Sequence, residues 1–528
     1  MSPAPDTLSR LLAARARLAS PALIERDRPV AYAALAEEAK RVAAGFARLG
    51  LGRGDRVALW LPNVPAWLAC FFACARLGAI AVSVNTRFRS HEVADIVGRS
   101  GARLLVFWPG FKGIDFAGIL AACDAAALAR LEQMVAYSED GAAQPAAMLG
   151  KPCVAYAELA AIAPLEQDFS RPGDGCVIFT TSGTTRAPKF VLHDQQTLMR
   201  HGADVVEAYR IGADSVVLLA PPLCGIFGFC SFMAALSAGR PLVMSPAWNA
   251  AGAARLIDAH RVTHINATDE AVEQLLAQSA DEMPFRSLSF IGYAAFNPLL
   301  GDIVARAAKR GVRLVGLYGA SEVQALFSRQ SESDSIEERS LAGGRPVNPA
   351  ARVRARDPDS RQVLPHGESG ELEFHAASRM QGYFADPEAT RNAFTGDGYY
   401  RSGDLGYTTG DGRFVYLTRI NDSLRLGGFL VSPLEIEGVV QEHAGVAACQ
   451  VVGVPRAEGL KPVAFVILKP GAALDEPAIL AYVAAKLAKY KVPARVFAVG
   501  EFPVTPGANA TKIQKHKLRD EAERRMTK

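Results

Sequence analysis

Short apolar runs rich in β-branched residues alternate with amphipathic stretches between residues 55 and 350. This alternation predicts α/β structure in layers, with largely parallel sheets. The predicted strands lie at 56–60, 79–84, 103–107, 215–219, 264–266, 288–291 and 313–317. The most apolar stretch, 65–84, contains Arg76 and Gly78, so it predicts a buried helix followed by a buried strand instead of a membrane span.

The pattern changes twice towards the end of the chain. Strands punctuated by Gly and Pro dominate from about 340 to 420 and predict a smaller β-rich subdomain. After Asp422 we expect a helix from Pro433, strands near 448–454 and 463–468, and a helix over 476–489. The predicted fold class is therefore α/β: a large N-terminal domain, 1–421, of layered α/β subdomains plus the β-rich one, followed by a small α+β domain, 422–528.

Composition narrows the class of protein. The chain has 528 residues, 50% of them apolar, and a net charge of only +4, without a basic run that would suggest nucleic-acid binding. Its eight cysteines are scattered, without a Cys-x-x-Cys pair or a metal-ligand spacing, as is typical of reduced thiols. The first residues do not read as a signal peptide, and we expect a cytoplasmic protein without a transmembrane segment.

The segment 180–189 combines hydroxyls, a glycine and a lysine directly after the apolar run 175–179. Backbone N–H groups, hydroxyl side chains and one ammonium group can together bind a polyphosphate, whereas the alternative is an ordinary Ser/Thr-rich turn. It is not a Walker loop, because Lys189 is followed by Phe190. The candidate phosphate-binding residues are Thr181, Ser182, Gly183, Thr184, Thr185 and Lys189.

Three further segments carry groups that a nucleotide reaction needs. Residues 318–322 place an aromatic ring, a hydroxyl and the Glu322 carboxylate after a predicted strand, at the sheet edge where α/β proteins bind ligands. Asp404 follows a tight turn, and its carboxylate is suited to accept hydrogen bonds from two ribose hydroxyls. Lys512 lies in a polar segment near the end of the chain. Each group alone is also typical of a solvated surface.

Together these segments resemble the adenylate-forming superfamily of acyl-CoA synthetases, nonribosomal-peptide adenylation domains and luciferases, and are most similar to the acyl-CoA synthetases. The resemblance extends from about 31 to 519. The matching motifs lie at 61–63, 180–189, 318–322, 382–390, 402–404, 418–422 and around Lys512.

The resemblance implies a role for each matching position. Thr181, Ser182, Thr184 and Lys189 would hold the β- and γ-phosphates of ATP, Tyr318 would stack on adenine, and Glu322 would hold Mg²⁺. Asp404 and Arg419 would bind the ribose, Asp422 would be the hinge of a mobile C-terminal domain, and Lys512 would bridge the carboxylate and the α-phosphate. The glycines at 427 and 428 would line the channel for coenzyme A. Ala294, Gly319 and Ser321 complete the expected nucleotide site.

The implied reaction has two steps. A carboxylate displaces pyrophosphate from ATP, and the acyl-adenylate is then attacked by the thiol of coenzyme A. The expected catalytic residues are Lys512, Glu322, Thr184 and Lys189, since positive charge and positioning must overcome repulsion between anions.

Several positions depart from the family pattern. Arg186, Phe190 and Thr511 stand where glycines are usual, which adds charge and removes backbone freedom. Cys224 and Gly225 replace an aromatic–histidine pair, and Tyr293 stands where a second glycine is common. We expect Tyr293, with Phe227, Phe229 and Phe296, to shorten the acid tunnel and to select a short-chain, medium-chain or aromatic acid, unless Phe229 and Phe296 are simply core residues. The expected acid pocket comprises His193, Cys224, Gly225, Phe227, Tyr293 and Ala320.

Two points stay open at the level of the sequence. His193 either approaches the acid or caps the strand that follows the phosphate segment. Besides an acid–CoA ligase, the sequence admits an enzyme that loads a carrier protein, a luciferase-like oxygenase, or a catalytically impaired nucleotide-binding relative. The segment 221–228 lacks the aspartate that amino-acid-specific relatives use. A homodimer is compatible with the sequence.

Overall fold

The computed structural model describes residues 5–141, 146–181, 188–297, 300–426, 429–456, 459–506 and 511–527. Its helices are α1 (Leu8–Arg15), α2 (Tyr32–Arg48), α3 (Pro65–Leu77), α4 (Ser90–Ser100), α5 (Phe116–Ala121), α6 (Tyr156–Ala160), α7 (Gln195–Tyr209), α8 (Ile226–Ala238), α9 (Ala250–His260), α10 (Asp269–Leu276), α11 (Ile303–Lys309), α12 (Ile336–Arg339), α13 (Pro387–Ala393), α14 (Pro433–Gln441), α15 (Glu476–Lys486) and α16 (Lys515–Thr527).

The strands are β1 (Pro21–Glu25), β2 (Arg28–Ala31), β3 (Arg56–Trp60), β4 (Ile80–Ser83), β5 (Leu104–Phe107), β6 (Gln133–Ala136), β7 (Ala147–Met148), β8 (Lys151–Ala155), β9 (Gly175–Thr180), β10 (Phe190–Asp194), β11 (Val217–Leu219), β12 (Leu242–Met244), β13 (His264–Thr268), β14 (Phe290–Ala294), β15 (Leu314–Ala320), β16 (Gln324–Arg329), β17 (Gly343–Pro346), β18 (Arg352–Arg356), β19 (Gly370–His375), β20 (Gly382–Tyr383), β21 (Tyr400–Thr408), β22 (Phe414–Arg419), β23 (Leu424–Leu426), β24 (Phe429–Val431), β25 (Val446–Arg456), β26 (Gly459–Leu468), β27 (Arg495–Ala498), β28 (Val504–Pro506) and β29 (Thr511–Ile513).

The first large sheet has the strand order β20-β10-β9-β4-β3-β5-β6-β8-β7. Its strands are parallel from β9 to β8, as the continuous apolar runs of β3, β4 and β5 predict, because such runs are buried on both faces. Helix α3 covers one face; it begins with Pro65 and ends at Gly78, whose φ of 72° lies in the left-handed region. The predicted buried helix and strand over 65–84 are thus confirmed.

The second large sheet has the order β18-β19-β21-β22-β17-β16-β15-β14-β13-β11-β12-β1-β2. Strands β11 to β15 are parallel, and the strands from β15 through β16 and β17 to β22, β21, β19 and β18 are antiparallel. The predicted β-rich region is therefore present, and its strands continue the hydrogen bonding of the second sheet.

Hydrophobic clusters cover both faces of each large sheet. The central cluster joins residues of β3 and β9 to residues of β11, β12 and β15, with α3 and α8 between them. Helices α9, α10 and α11 cover the opposite face of the second sheet. Because the central cluster lies between the two sheets, the buried apolar residues of β11 to β14 face either α8 or α9–α11. This choice of face decides which residues can meet in the acid pocket.

The last part of the chain has its own core. Strands β25, β26 and β27 form a three-stranded sheet that packs with α14 and α15 around Ile436, Val451 and Val466. The α+β character predicted for this region is confirmed, although the helix expected over 476–489 ends at Lys486. The boundary between 421 and 422 stays a prediction. Within the described residues, no helix combines the length and apolarity needed to cross a membrane.

Candidate functional site

The predicted phosphate segment is closed at its base by a pair of antiparallel strands. Phe190 of β10 faces Thr180 of β9, and the N–H of Thr181 donates to the carbonyl of Lys189 over 3.0 Å. The N–H of Lys189 donates in turn to Oγ1 of Thr181 over 3.1 Å. Thr181 therefore fixes the two ends of the segment. Ser182, Gly183, Thr184, Thr185 and Arg186 lie outside the described residues.

Lys189 extends from this base towards an aromatic ring. Its side chain is exposed, and Nζ lies 4.6 Å from the centroid of the Tyr383 ring. The approach follows from the strand order, because β20 pairs with β10 and aligns Tyr383 with Val191. An ammonium group at this distance from an aromatic face is attracted by the ring quadrupole.

Glu322 lies in a short 3₁₀ turn at the end of β15 and is nearly buried. Its Oε1 accepts a hydrogen bond from the Tyr383 hydroxyl over 2.9 Å, and its carbonyl accepts one from the N–H of Met380 over 2.7 Å. Gly319 permits the tight return into β16, because a Cβ there would lie 2.6 Å from Cα of Ala325. Both the backbone and the side chain of Glu322 are thus held.

His193 is fully buried, and its Nε2 lies 2.7 Å from the carbonyl oxygen of Ser321. Burial lowers the pKa of the ring to about 4, so the imidazole is neutral at pH 7 and Nε2–H is the donor. Within the described residues, its Nδ1 has no hydrogen-bond partner. The side chain of His193 thus connects β10 to the Glu322 turn. This contact favours a structural role in capping the strand over direct approach to the acid.

The expected ribose-binding pair is formed by cross-strand neighbours. Asp404 of β21 faces Arg419 of β22, and Nη1 of Arg419 lies 3.0 Å from Oδ1 of Asp404. The Tyr318 hydroxyl donates to Oδ2 over 2.5 Å. Burial raises the pKa of Asp404 to about 6, although Arg419 and Tyr318 both favour its ionised form.

Tyr318 is itself enclosed by aromatic rings. Its centroid lies 5.2 Å from that of Phe374 and 5.6 Å from that of Tyr416, and only 6% of the residue is exposed. Its stacking on adenine stays a prediction. Ala320 is partly buried against the same cluster, and Ala294 ends β14 on the face of the central core.

The loop that precedes α8 is held by Asn63. Oδ1 of Asn63 accepts from the N–H of Leu223 over 2.7 Å, and its Nδ2 donates to the carbonyl of Pro221. Gly225 is the N-cap of α8, and burial raises the pKa of the Cys224 thiol to about 12, so it remains a thiol at pH 7. Phe227 is buried on the first turn of α8. Cys224, Gly225 and Phe227 are thus neighbours at the start of α8, and their contact with the acid stays a prediction.

The structure contradicts the expectation that Tyr293 narrows this pocket together with Phe227. Side chains alternate along β14, so Phe290 and Ala294 face the central core while Tyr293 faces the helices α9–α11. The Tyr293 hydroxyl donates to the carbonyl of Ser340 over 3.1 Å. Since Phe227 belongs to the central core, the two aromatic side chains lie on opposite faces of the sheet, and the prediction is wrong.

The other two aromatic residues differ from each other. Phe229 packs against Phe71 and Phe179, with ring centroids 5.1 and 5.2 Å away, and is a core residue. Phe296 is 43% exposed and is therefore not a core residue. Its N–H donates to Asp269 over 2.8 Å, at the start of α10.

The C-terminal candidates are placed only in part. Asp422 ends a 3₁₀ turn after β22 and is exposed, as a hinge between domains requires, but this role stays a prediction. Lys512 lies on β29 and aligns with Thr505 of β28. Gly427 and Gly428 lie outside the described residues.

Sequence reasoning assigned no role to Tyr383 or Asn63. Tyr383 contacts two predicted site residues, and Asn63 holds the loop of a third. Both lie in segments that carry the family resemblance, 382–390 and 61–63, so a signal was present. What each side chain touches depends on the pairing of distant strands, which the motifs alone do not specify.

Two family models match the chain. The AMP-binding enzyme model matches residues 12–384, and the model of the AMP-binding enzyme C-terminal domain matches residues 435–508. Sulfoacetate–CoA ligase of Cupriavidus necator is 30% identical over 534 residues, which cover 98% of each chain. Feruloyl-CoA synthase of an Amycolatopsis species is 29% identical and covers 90% of this chain and 91% of the relative.

Solved structures agree with this assignment. ATP-bound MatB from Rhodopseudomonas palustris superposes with a TM-score of 0.83 at 26% identity, covering 98% of this chain and 99% of that one. The match of the first family model spans well over half of the chain, and the fold is the same from end to end. The chain therefore belongs to the AMP-binding enzyme family, the adenylate-forming enzymes that its motifs resemble.

Proposed function

We propose that this protein is an AMP-forming acid–CoA ligase, which converts a carboxylic acid, ATP and coenzyme A into an acyl-CoA, AMP and pyrophosphate. One observation carries the proposal: Tyr383 contacts both Lys189 and Glu322, and β15, which ends at the Glu322 turn, carries the Tyr318 hydroxyl that donates to Asp404. These contacts support a single site for the triphosphate and the ribose.

The first step requires a carboxylate to approach the α-phosphorus of ATP. Both reactants are anionic, so the site must position them and offset their repulsion. Lys189 would bind the departing phosphates, and Asp404 would accept hydrogen bonds from the ribose hydroxyls, which fixes the nucleotide at its other end. Lys512 would contact the carboxylate and the α-phosphate and so bring the two together.

Glu322 is suited to bind Mg²⁺. Within the described residues, no group of three or more His, Cys, Asp or Glu side chains could hold a metal ion by itself. Mg²⁺ is commonly held by one or two carboxylates together with substrate phosphates and water, and a single fixed carboxylate beside a phosphate segment fits that pattern. When bound, the ion supplies positive charge to the phosphate oxygens.

The second step transfers the acyl group to the thiol of coenzyme A, with AMP as the leaving group. Support comes from the relatives, since sulfoacetate–CoA ligase and feruloyl-CoA synthase both carry coenzyme A in their names and match nearly the whole chain. The domain rotation about Asp422 that would exchange Lys512 for the glycines at 427 and 428 belongs to the proposal.

The substrate is proposed to be a small carboxylic acid, short-chain, medium-chain or aromatic. The support is Phe227, which is buried at the start of α8 beside the loop held by Asn63. Tyr293 lies on the other face of the sheet and does not shape this pocket. Cys224, Gly225 and Phe227 would then set the shape of the acid that fits.

The test incubates the protein with MgATP and a panel of short, medium-chain and aromatic acids, and follows pyrophosphate and AMP separately, with and without coenzyme A. We expect pyrophosphate with some acids, and AMP release accelerated by coenzyme A. Pyrophosphate release that coenzyme A never accelerates would refute the ligase and favour loading of a carrier protein. No adenylation with any acid would favour a catalytically impaired relative.

A second experiment addresses the role of Lys512. We expect Lys512→Ala to reduce acyl-adenylate formation by about 10²-fold or more, while thioester formation from supplied acyl-adenylate is largely kept. Lys517→Ala, an exposed lysine on α16, is the matched control and should affect neither step. Equal loss in both steps with Lys512→Ala would contradict the proposed domain rotation.

A further inference from the structure

We propose that Tyr383 is a positioning residue for adenylation, which holds the Glu322 carboxylate and the Lys189 ammonium group in a fixed relation to each other. The proposal rests on the proposed function, because it concerns how the phosphate end of the same site is organised. Tyr383 is the second residue of the two-residue strand β20, near the start of the segment 382–390, to which no role has been given.

The first contact is the hydrogen bond to Glu322. The Tyr383 hydroxyl donates to Oε1 over 2.9 Å, and both residues are buried, with 6% and 8% of their surface exposed. Burial and the negative charge of Glu322 raise the pKa of Tyr383 above its ordinary value, so the hydroxyl is protonated and donates at pH 7. A hydrogen bond to a buried carboxylate restricts its rotation.

The second contact is on the ring. Nζ of Lys189 lies 4.6 Å from the ring centroid, within the range of a cation–π interaction. One rigid side chain therefore touches the carboxylate at its hydroxyl and the ammonium group at its face. The ring therefore lies between the two charged groups and restricts how they can move relative to each other.

The backbone of Tyr383 is fixed independently of these contacts. Tyr383 aligns with Val191 of β10, two residues after Lys189, and its N–H donates to Oγ1 of Thr390 over 2.9 Å. The ring position therefore follows from the same strand pair that closes the phosphate segment. A side chain anchored in this way can transmit the position of β10 to the Glu322 turn.

Substitution of Tyr383 separates the two contacts. Tyr383→Phe removes the hydroxyl and keeps the ring, whereas Tyr383→Leu removes both. The matched control is Tyr156→Phe, because the Tyr156 hydroxyl donates to Glu38 over 2.6 Å from an equally buried position on α6, in another part of the protein. Thermal unfolding of all three variants measures any general loss of stability.

For Tyr383→Phe we expect about a tenfold or larger fall in the rate of pyrophosphate release and a similar rise in the Mg²⁺ concentration that gives half-maximal rate, with the KM for the acid unchanged. Calorimetric titration with a non-hydrolysable ATP analogue at several Mg²⁺ concentrations gives a readout that does not depend on turnover; the Mg²⁺ dependence of its affinity should weaken in parallel. Tyr383→Leu should in addition weaken analogue binding at saturating Mg²⁺, because Lys189 is no longer held. Tyr156→Phe should resemble the wild type in all these measurements.

A double variant tests whether Tyr383 acts through Glu322. If it does, Glu322→Gln combined with Tyr383→Phe should be no slower than Glu322→Gln alone, since the hydroxyl then has no carboxylate to orient. The proposal would be overturned if the rate losses of the two single variants multiplied in the double variant. A Tyr383→Phe variant with the Mg²⁺ dependence of the wild type would also overturn it. Failure of the proposed ligase function would look different from failure of the proposal on Tyr383. In that case the wild-type protein itself would release no pyrophosphate with any acid.

Discussion

The proposed nucleotide half of the site, Tyr318, Glu322, Tyr383, Asp404 and Arg419, is held by hydrogen bonds and a charge pair between its own side chains. The proposed acid half, Cys224, Gly225 and Phe227, is held differently: Phe227 packs in the central core, and Asn63 holds the loop before α8. Tyr293 lies on the other face of the sheet from Phe227. The side chains of the proposed nucleotide half therefore orient one another.

This difference indicates where in such a fold substitutions can change the specificity for the acid. A change in one residue of the nucleotide half leaves a buried polar partner unsatisfied, which is costly. A change in the acid half alters the volume of a pocket and leaves the chemistry intact. We therefore expect substitutions in the nucleotide half to abolish the reaction with every acid, and those in the acid half to change which acid reacts.

The largest effect is expected at Glu322. Glu322→Gln removes the carboxylate proposed to face the metal and should lower the rate of pyrophosphate release by roughly 10²- to 10³-fold with every acid tested. Glu38→Gln, which alters the carboxylate paired with Tyr156, serves as the control and should stay near the wild-type rate. A loss with Glu322→Gln that differed between acids would break the distinction between the two halves.

A smaller loss is expected at the ribose end. Asp404→Asn keeps the shape but removes the charge between Tyr318 and Arg419, and should raise the KM for ATP by about tenfold to a hundredfold, the value of one or two hydrogen bonds to a charged group. The KM for the acid should not change. Initial rates over a matrix of ATP and acid concentrations measure both constants. An unchanged KM for ATP would remove Asp404 from the site.

Phe227 and Tyr293, which lie on opposite faces of the sheet, should behave differently from each other. Phe227→Leu is expected to shift the ratio of kcat/KM for an aromatic over a short-chain acid by about tenfold, with pyrophosphate release retained. Tyr293→Phe should leave that ratio within about twofold and lower the free energy of unfolding by about 1 kcal/mol, since it deletes the hydrogen bond to Ser340. Chemical denaturation and the acid panel measure the two effects. A change of acid preference with Tyr293→Phe would contradict the placement of this ring.

The smallest expected effect concerns how the affinity for ATP changes with pH. The pKa of Asp404 in the folded protein, about 6, lies above its ordinary value of 3.8. In the window between these two pH values, the folded protein therefore binds more protons than the unfolded chain. The contribution of this group to stability therefore falls as pH rises through the window, while its capacity to accept ribose hydrogen bonds appears over the same range. We expect the affinity for an ATP analogue to decline several-fold as pH falls below about 6.

Two variants sharpen this prediction. Tyr318→Phe removes a hydrogen bond that favours the ionised carboxylate, so the midpoint should move to higher pH. Asp404→Asn should show no transition in that range. Calorimetric titration at a series of pH values measures the midpoint. An Asp404→Asn variant that retained the wild-type pH profile would assign the transition to another group.

The same contrast explains what the sequence could predict. Glu322 stands in a short motif that follows a strand, Asp404 and Arg419 stand in motifs that resemble those of the family, and the parallel strands are marked by continuous apolar runs. Both the fold and the candidate nucleotide residues therefore follow from local patterns. The face occupied by Tyr293 depends on the register of β14 between β13 and β15 and on which helices cover each side. A shift of one residue reverses the face, and no local pattern specified it.

The contacts of Tyr383 were hidden for a related reason. They arise from the pairing of β20 with β10, strands that are almost 190 residues apart in the chain. The motif at 382–390 indicates that the segment matters, but it does not identify the residues that β20 will meet. Long-range pairing of short strands is the step between sequence and site that local physical chemistry does not specify.

We propose that this site activates a carboxylic acid as an acyl-adenylate before coenzyme A reacts. The decisive experiment is rapid quenching of the protein with MgATP and an accepted acid, followed by mass spectrometry. We expect acyl-adenylate and pyrophosphate to accumulate in equal amounts without coenzyme A, and added coenzyme A to convert the adenylate into acyl-CoA and AMP. Formation of ADP and phosphate, or of acyl-CoA without a preceding adenylate, would contradict it.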